Sequence, residues 1–230
     1  MKERIVEISR RGLATLGGMS LIGFFLPSMA YGDSAKHDCS VLDSEPKFNC
    51  TLETLDGRVV LDTSLSNARS MTTSEDGFYF RESKTTNVKD GAITVDYTAT
   101  LCKSSGIQPF DTNYGGTNDG IADLKISVTY YFTNGKAMVR VESGTATIKA
   151  LNSMAYINSR GMTLSQGPIG ENVRSATFSS ESYTIVTNFS TVPYAPTDLQ
   201  YGTVLNGGMC DAEVGVSGMT PYITRATYTF

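Results

Sequence analysis

The residues equipped for acid–base, metal or thiol chemistry are few, and they fall into small groups. The stretch from residue 111 to 123 is rich in oxygen donors, with Asp111, Asn113, Asp119 and Asp123 spread through a Gly/Asn-rich run. Hard cations such as calcium take about six to eight oxygen ligands, so these four residues are the candidate calcium ligands. Thr117 and Gly115, at the alternate positions before Asp119, supply only a hydroxyl and no side chain. A plain Gly/Asn turn is therefore the competing expectation, and no other cofactor is implied.

Histidine occurs once, at His37. A Ser-His-Asp or Cys-His arrangement would have to recruit that single imidazole, and zinc or copper sites normally need several imidazoles or thiolates. There is no G-x-x-x-x-G-K-[ST] and no G-x-G-x-x-G opening a helix, so nucleotide binding is not expected. Carboxylate chemistry on sugars needs only two acids. The best-placed polar group for a sugar cleft is Tyr131, Arg140 and Glu142, which share the polar face of a central hairpin. The ordinary alternative is a solvated sheet face. The chain has no Trp but carries 12 Tyr that could serve as sugar platforms.

The four cysteines, Cys39, Cys50, Cys102 and Cys210, have no C-x-x-C spacing and no neighbouring His cluster. In an oxidising compartment an even count implies disulfides. Three pairings are open, and Cys39–Cys50 with Cys102–Cys210 is the favoured one.

The elements that must carry these residues are strands. Residues 93–101 alternate without a fault, Ile93, Val95, Tyr97, Ala99 and Leu101 against Thr94, Asp96, Thr98 and Thr100. Leu124, Ile126, Val128, Tyr130 and Phe132 alternate likewise with polar partners. Period-2 alternation marks a strand with one buried face. The second run leads into Asn134-Gly135, a strong hairpin signal. A two-residue turn there would set Thr133 opposite Lys136, Phe132 opposite Ala137, Tyr130 opposite Val139 and Val128 opposite Val141. Further strands are expected over 58–61, 78–81, 154–164, 176–189, 200–205, 211–216 and 222–230. This pattern predicts an all-β fold, an antiparallel β-sandwich stapled by disulfides, with a small closed β-barrel as the alternative.

The N-terminus has its own logic. Lys2, Arg4, Arg10 and Arg11 precede an apolar run over 12–26, and Pro27 is followed by the small residues Ser28, Ala30 and Gly32. A basic start, a short apolar stretch and a small-residue cleavage site describe a secretory signal peptide. The run falls short of the roughly 20 residues a spanning helix needs. Residues 1–32 are thus expected to be a cleaved export signal, and 33–230 a single β domain delivered to the periplasm, the cell surface or the medium. Ser9-Arg10-Arg11-Gly12-Leu13-Ala14 resembles the twin-arginine export motif. No Lys follows its apolar pair, which leaves the general secretory route open.

The net charge is −4, and the expected leader is basic, so the remainder is more acidic still. With no Lys/Arg cluster after the leader, nucleic acid is not an expected partner. At the other end Tyr222, Thr224, Ala226, Tyr228 and Phe230 make one face of a final strand. This strand resembles the closing strand of bacterial outer-membrane β-barrels, which commonly end on Phe. It also resembles the alternating C-terminal strand of chaperone–usher fimbrial subunits. The latter resemblance implies a non-enzymatic role in surface structure or adhesion, with other protein subunits joined through strand edges or a surface glycan as partner. The former implies an outer-membrane protein, and the Tyr131/Arg140/Glu142 face a secreted carbohydrate-binding or carbohydrate-active domain.

Overall fold

A computed structural model describes residues 5–7, 46–65, 74, 76–104, 120–168, 171–195, 197 and 204–230. The strands are β1 (Ile5–Glu7), β2 (Lys47–Thr54), β3 (Val59–Asp62), β4 (Phe78–Lys89), β5 (Ala92–Lys103), β6 (Gly120–Thr133) and β7 (Met138–Ala150). They continue as β8 (Ala155–Gln166), β9 (Asn172–Thr177), β10 (Ser182–Val186), β11 (Val192–Pro193), β12 (Gly207–Val216) and β13 (Tyr222–Thr229). The expected all-β class holds. Among the described residues the strands form two antiparallel sheets and no closed barrel. One runs β1-β9-β8-β12-β13-β2-β3 and the other β10-β7-β6-β5-β4, with β11 also on β7.

Alternation dictates how the sheets meet. Val95, Tyr97, Ala99 and Leu101 of β5 and Leu124, Ile126, Val128 and Tyr130 of β6 are all buried. They face Cys210, Ala212 and Val214 of β12 and Ala226 and Tyr228 of β13 in one core. Tyr130 and Tyr228 meet across the core, their hydroxyls 2.9 Å apart, and the Tyr130 ring stacks on Phe230 at 3.9 Å between centroids. The aromatic face of the last strand therefore points inward, as in a core, not outward as on a lipid-facing barrel. Close approach of the sheets depends on Gly144, where a Cβ would lie 2.7 Å from Leu164 Cδ2 and Met162 Cε and 2.9 Å from the Ser127 carbonyl.

The β6–β7 hairpin forms, but in a different register from the expected one. The loop is Asn134–Ala137, closed by the Ala137 N–H donating to the Asn134 carbonyl at 3.2 Å. Thr133 then pairs with Met138, Phe132 with Val139 and Tyr130 with Val141. Asn134, Gly135 and Lys136 all take positive φ, so the chain needs a longer loop than a two-residue turn. The displacement is even, which keeps the apolar faces together. A bulge between Thr129 and Tyr130 then adjusts the rest of the ladder.

Other boundaries move for local reasons. The strand expected over 78–81 runs on to Lys89, and the one expected over 176–189 divides into β9 and β10 around Ser179 and Ser180. β2 has no counterpart among the expected strands, although Phe48, Cys50 and Leu52 alternate along it. Of the segment 200–205, residues 200–203 lie outside the described residues, and Val204 makes a single bridge to Pro168.

The disulfide frame is corrected. Cys50, Cys102 and Cys210 are free, buried thiols, and Cys39 lies outside the described residues. Cys102 has the parity of Thr100, which bonds Asp123 on the outer face of its sheet. Cys210 lies in the core of the other sheet. A bond between them would have to cross a sheet, far beyond the roughly 4.4–6.8 Å Cα separation that a disulfide spans.

Candidate functional site

The two edges of the β4-containing sheet are finished very differently. At one edge β7 is covered by β10 over Ser143–Thr147 and by β11 at Met138 and Val139. The gap between them is filled by side chains. Gln166 Oε1 accepts the Val141 N–H at 2.5 Å, and the Thr187 hydroxyl donates to the Val141 carbonyl at 2.6 Å. The Thr187 N–H donates to the Glu142 carbonyl at 2.9 Å. Backbone groups that a neighbouring strand would satisfy are thus met one by one.

At the other edge stands β4, 12 residues long and exposed at every position from 81 to 89. Among the described residues no strand pairs with its outer flank. Its inner flank is a complete ladder to β5, from Phe78↔Lys103 to Lys89↔Ala92. Asp90-Gly91 closes this hairpin with φ of 52° and 79°, the positive-φ pair of a tight two-residue turn. The Asp-Gly dipeptide was the available sequence signal for β4. The polar run Arg81-Glu82-Ser83-Lys84-Thr85-Thr86-Asn87 hid it, because an edge strand exposed on both faces need not alternate.

Glu82 and Lys84 have the parity of Phe80 and therefore point toward the space between the sheets. There they line a cleft of about 320 Å³ with Ser83, Phe48 and Tyr97. Phe48 and Tyr97 meet at 4.9 Å between ring centroids, and Lys84 Nζ sits 4.7 Å over the Phe48 ring. Cys50 Sγ, fully buried, is 2.6 Å from the hydroxyl of Tyr97. Burial first, and then the charge of Glu82, push the Cys50 thiol well above its ordinary range. Burial and the adjoining Cys50 do the same to the Tyr97 phenol. A thiol held protonated is a poor nucleophile, so burial keeps Cys50 in its less reactive form.

Tyr131, Arg140 and Glu142 do come together, on the open, solvated sheet face that was the ordinary alternative to a sugar cleft. Tyr131 pairs directly with Arg140, whose guanidinium carbon lies 5.1 Å over the Tyr131 ring. Arg140 Nη2 is 3.6 Å from Glu142 Oε1, and both side chains are more than two-fifths exposed. The hydrogen bond to Glu142 raises the Tyr131 phenol above its ordinary value. The three side chains largely satisfy one another.

Of the candidate calcium ligands, Asp111, Asn113 and Asp119 lie outside the described residues. Asp123 is on β6, where its carboxylate accepts the Thr100 hydroxyl at 2.7 Å and meets Lys149 Nζ at 3.6 Å. Among the described residues no three His, Cys, Asp or Glu side chains are gathered as a metal would need.

The chain matches no family model, no curated protein and no solved structure. No helix among the described residues is long and apolar enough to cross a membrane.

Proposed function

We propose that the chain is an exported, non-enzymatic β-sandwich that serves in bacterial surface structure or adhesion, as a fimbria-like subunit joined to others through a strand edge. The observation that carries this reading is β4. It is long, exposed over residues 81–89, without a strand on its outer flank among the described residues, and set beside a cleft that holds two aromatic rings. Exposed edges offer unpaired N–H and C=O groups to an incoming strand. Strand addition of that kind takes affinity from the main chain and specificity from alternate side chains.

The chemical inventory supports the same side. One His is present in the whole chain, and the three described thiols are buried. The export part of the reading rests on the basic, apolar and small-residue order of positions 1–32. Burial of the thiols also suits an oxidising compartment, since it keeps them from oxidants. Removal of a leader would take β1 away from β9, leaving Arg174–Ala176 as the border of that sheet.

Fractionation of native cells tests the proposal. The chain should be recovered with shear-released surface material, its N-terminus beginning after Ala30 or Gly32. Recovery of the full-length chain from the cytoplasm would overturn it. A second reading, binding of a surface glycan, is favoured by the juxtaposition of Tyr131, Arg140 and Glu142. It requires that binding in a polysaccharide panel be lost on Tyr131→Ala.

A further inference from the structure

We infer that the partner at β4 is a second copy of this chain, joined antiparallel, edge to edge, about a two-fold axis through Ser83. The inference rests on the strand-edge reading above and names its occupant.

Symmetry restricts the possibilities first. A two-fold relating antiparallel edge strands runs normal to the sheet and carries each face onto itself. The axis must then pass through a residue, and residues opposite each other share a face. Charge selects among the remaining registers. With the axis at Ser83, Glu82 lies opposite Lys84 of the second copy, and Lys84 opposite its Glu82. Phe80 lies opposite Thr86, and Phe78 opposite Val88, which is 71% exposed in the single chain. Nearly the whole of β4 overlaps.

Neighbouring registers fail. Moving the axis by one residue sets Glu82 on Glu82 or Lys84 on Lys84. Moving it by two sets Arg81 on Arg81, or brings Arg81 opposite Lys89. Like charges directly opposite are destabilising and unlike charges stabilising. Inward-pointing charges on an edge strand commonly serve to deter pairing. Here Glu82 and Lys84 deter the one-residue shifts and Arg81 the two-residue shifts, so the three charges together act as a key for a matching edge. Joining the two copies would extend each five-stranded path, β10-β7-β6-β5-β4, into one continuous sheet.

The experiment is a charge-reversal cycle read by sedimentation equilibrium on the full chain. Glu82→Lys alone sets Lys opposite Lys twice, and Lys84→Glu alone sets Glu opposite Glu twice. Each should weaken dimerisation by at least about tenfold. The double reversal should recover to within about threefold of the wild type. Mixing the two single variants should give a heterodimer, because both lysines of the Glu82→Lys strand then face both glutamates of the Lys84→Glu strand. Recovery on mixing also shows that both singles are folded. A wild type that stays monomeric at every concentration, or variants that associate no differently from it, would overturn the inference. That failure would leave cell fractionation, and with it the export and surface reading, untouched.

Discussion

Cys50 and Cys210 flank Ala226 from opposite sides, each its direct cross-strand partner, on β2 and β12 respectively. Two strand spacings, about 10 Å, therefore separate them, beyond the reach of a disulfide. Both thiols should be free in the native protein, together with Cys102. A thiol reagent should leave these three untouched until denaturant is added, and peptide mapping should find no bond among them. A Cys50–Cys210 or Cys102–Cys210 cross-link would contradict the packing described here.

The same burial sets an alkaline limit on stability. Burial pushes Cys50 and Cys210 up, and likewise Tyr97 and Tyr228. All four stay protonated in the fold at a pH where the unfolded chain ionises, near about 8.5 for Cys and 10 for Tyr. The unfolded state then binds fewer protons, so stability is full below those values and falls as pH rises through them. Each group contributes a slope of up to about 1.4 kcal/mol per pH unit. Denaturant melts from pH 7 to 10.5 should show this loss. Cys50→Ala with Cys210→Ala should reduce the slope below about pH 10, leaving the share of Cys102, whose thiol burial also pushes up, and the tyrosine part.

Gln166 is fully buried and stands in for part of a strand beside β7. Besides accepting from Val141, its Nε2 donates to the Ser190 carbonyl at 2.7 Å. Gln166→Leu would strand both backbone groups, at about 1–3 kcal/mol each. A chemical melt should show a loss of that order, and Gln166→Glu should not restore the donor to Ser190 at neutral pH. An unchanged midpoint for Gln166→Leu would refute the role.

Gly144 makes a second, independent stability test. Its missing Cβ leaves room for Leu164, Met162 and the Ser127 carbonyl, all nearer than 3.0 Å to where that atom would sit. Two side chains can shift, but the carbonyl is held in a ladder. Gly144→Ala should therefore cost about 1–3 kcal/mol by overpacking. The exposed Gly91, with open space around it, bears on a different term. Gly91→Ala should destabilise through positive φ alone, by roughly 1 kcal/mol.

What the sequence carried was alternation where one face is buried. β5, β6, β12 and β13 were legible because Val95, Tyr97, Leu124, Val128, Val214 and Tyr228 recur with period 2 and face one core. β4 was only partly legible: past Phe80 neither face is buried, so nothing imposes a period on residues 81–89. The Tyr131, Arg140 and Glu142 grouping was readable because it depends on parity alone. The cleft was not, since Phe48 and Glu82 reach Tyr97 by long-range pairing that no local pattern encodes. The cysteine count misled for a related reason. Counting gives an even number, whereas strand parity places Cys102 and Cys210 on different faces of different sheets.

The most direct test of edge-to-edge assembly is cysteine cross-linking at the proposed axis. With the two-fold at Ser83, that residue faces itself at about 4.5–5.5 Å between Cα atoms, within disulfide reach. Thr85, two positions away, would lie roughly 13 Å from its own copy. Under a mild oxidant Ser83→Cys should give a covalent dimer at low protein concentration, reversed by reductant, while Thr85→Cys should not. Equal cross-linking of both variants, or none by Ser83→Cys at concentrations where the chain associates, would contradict the account.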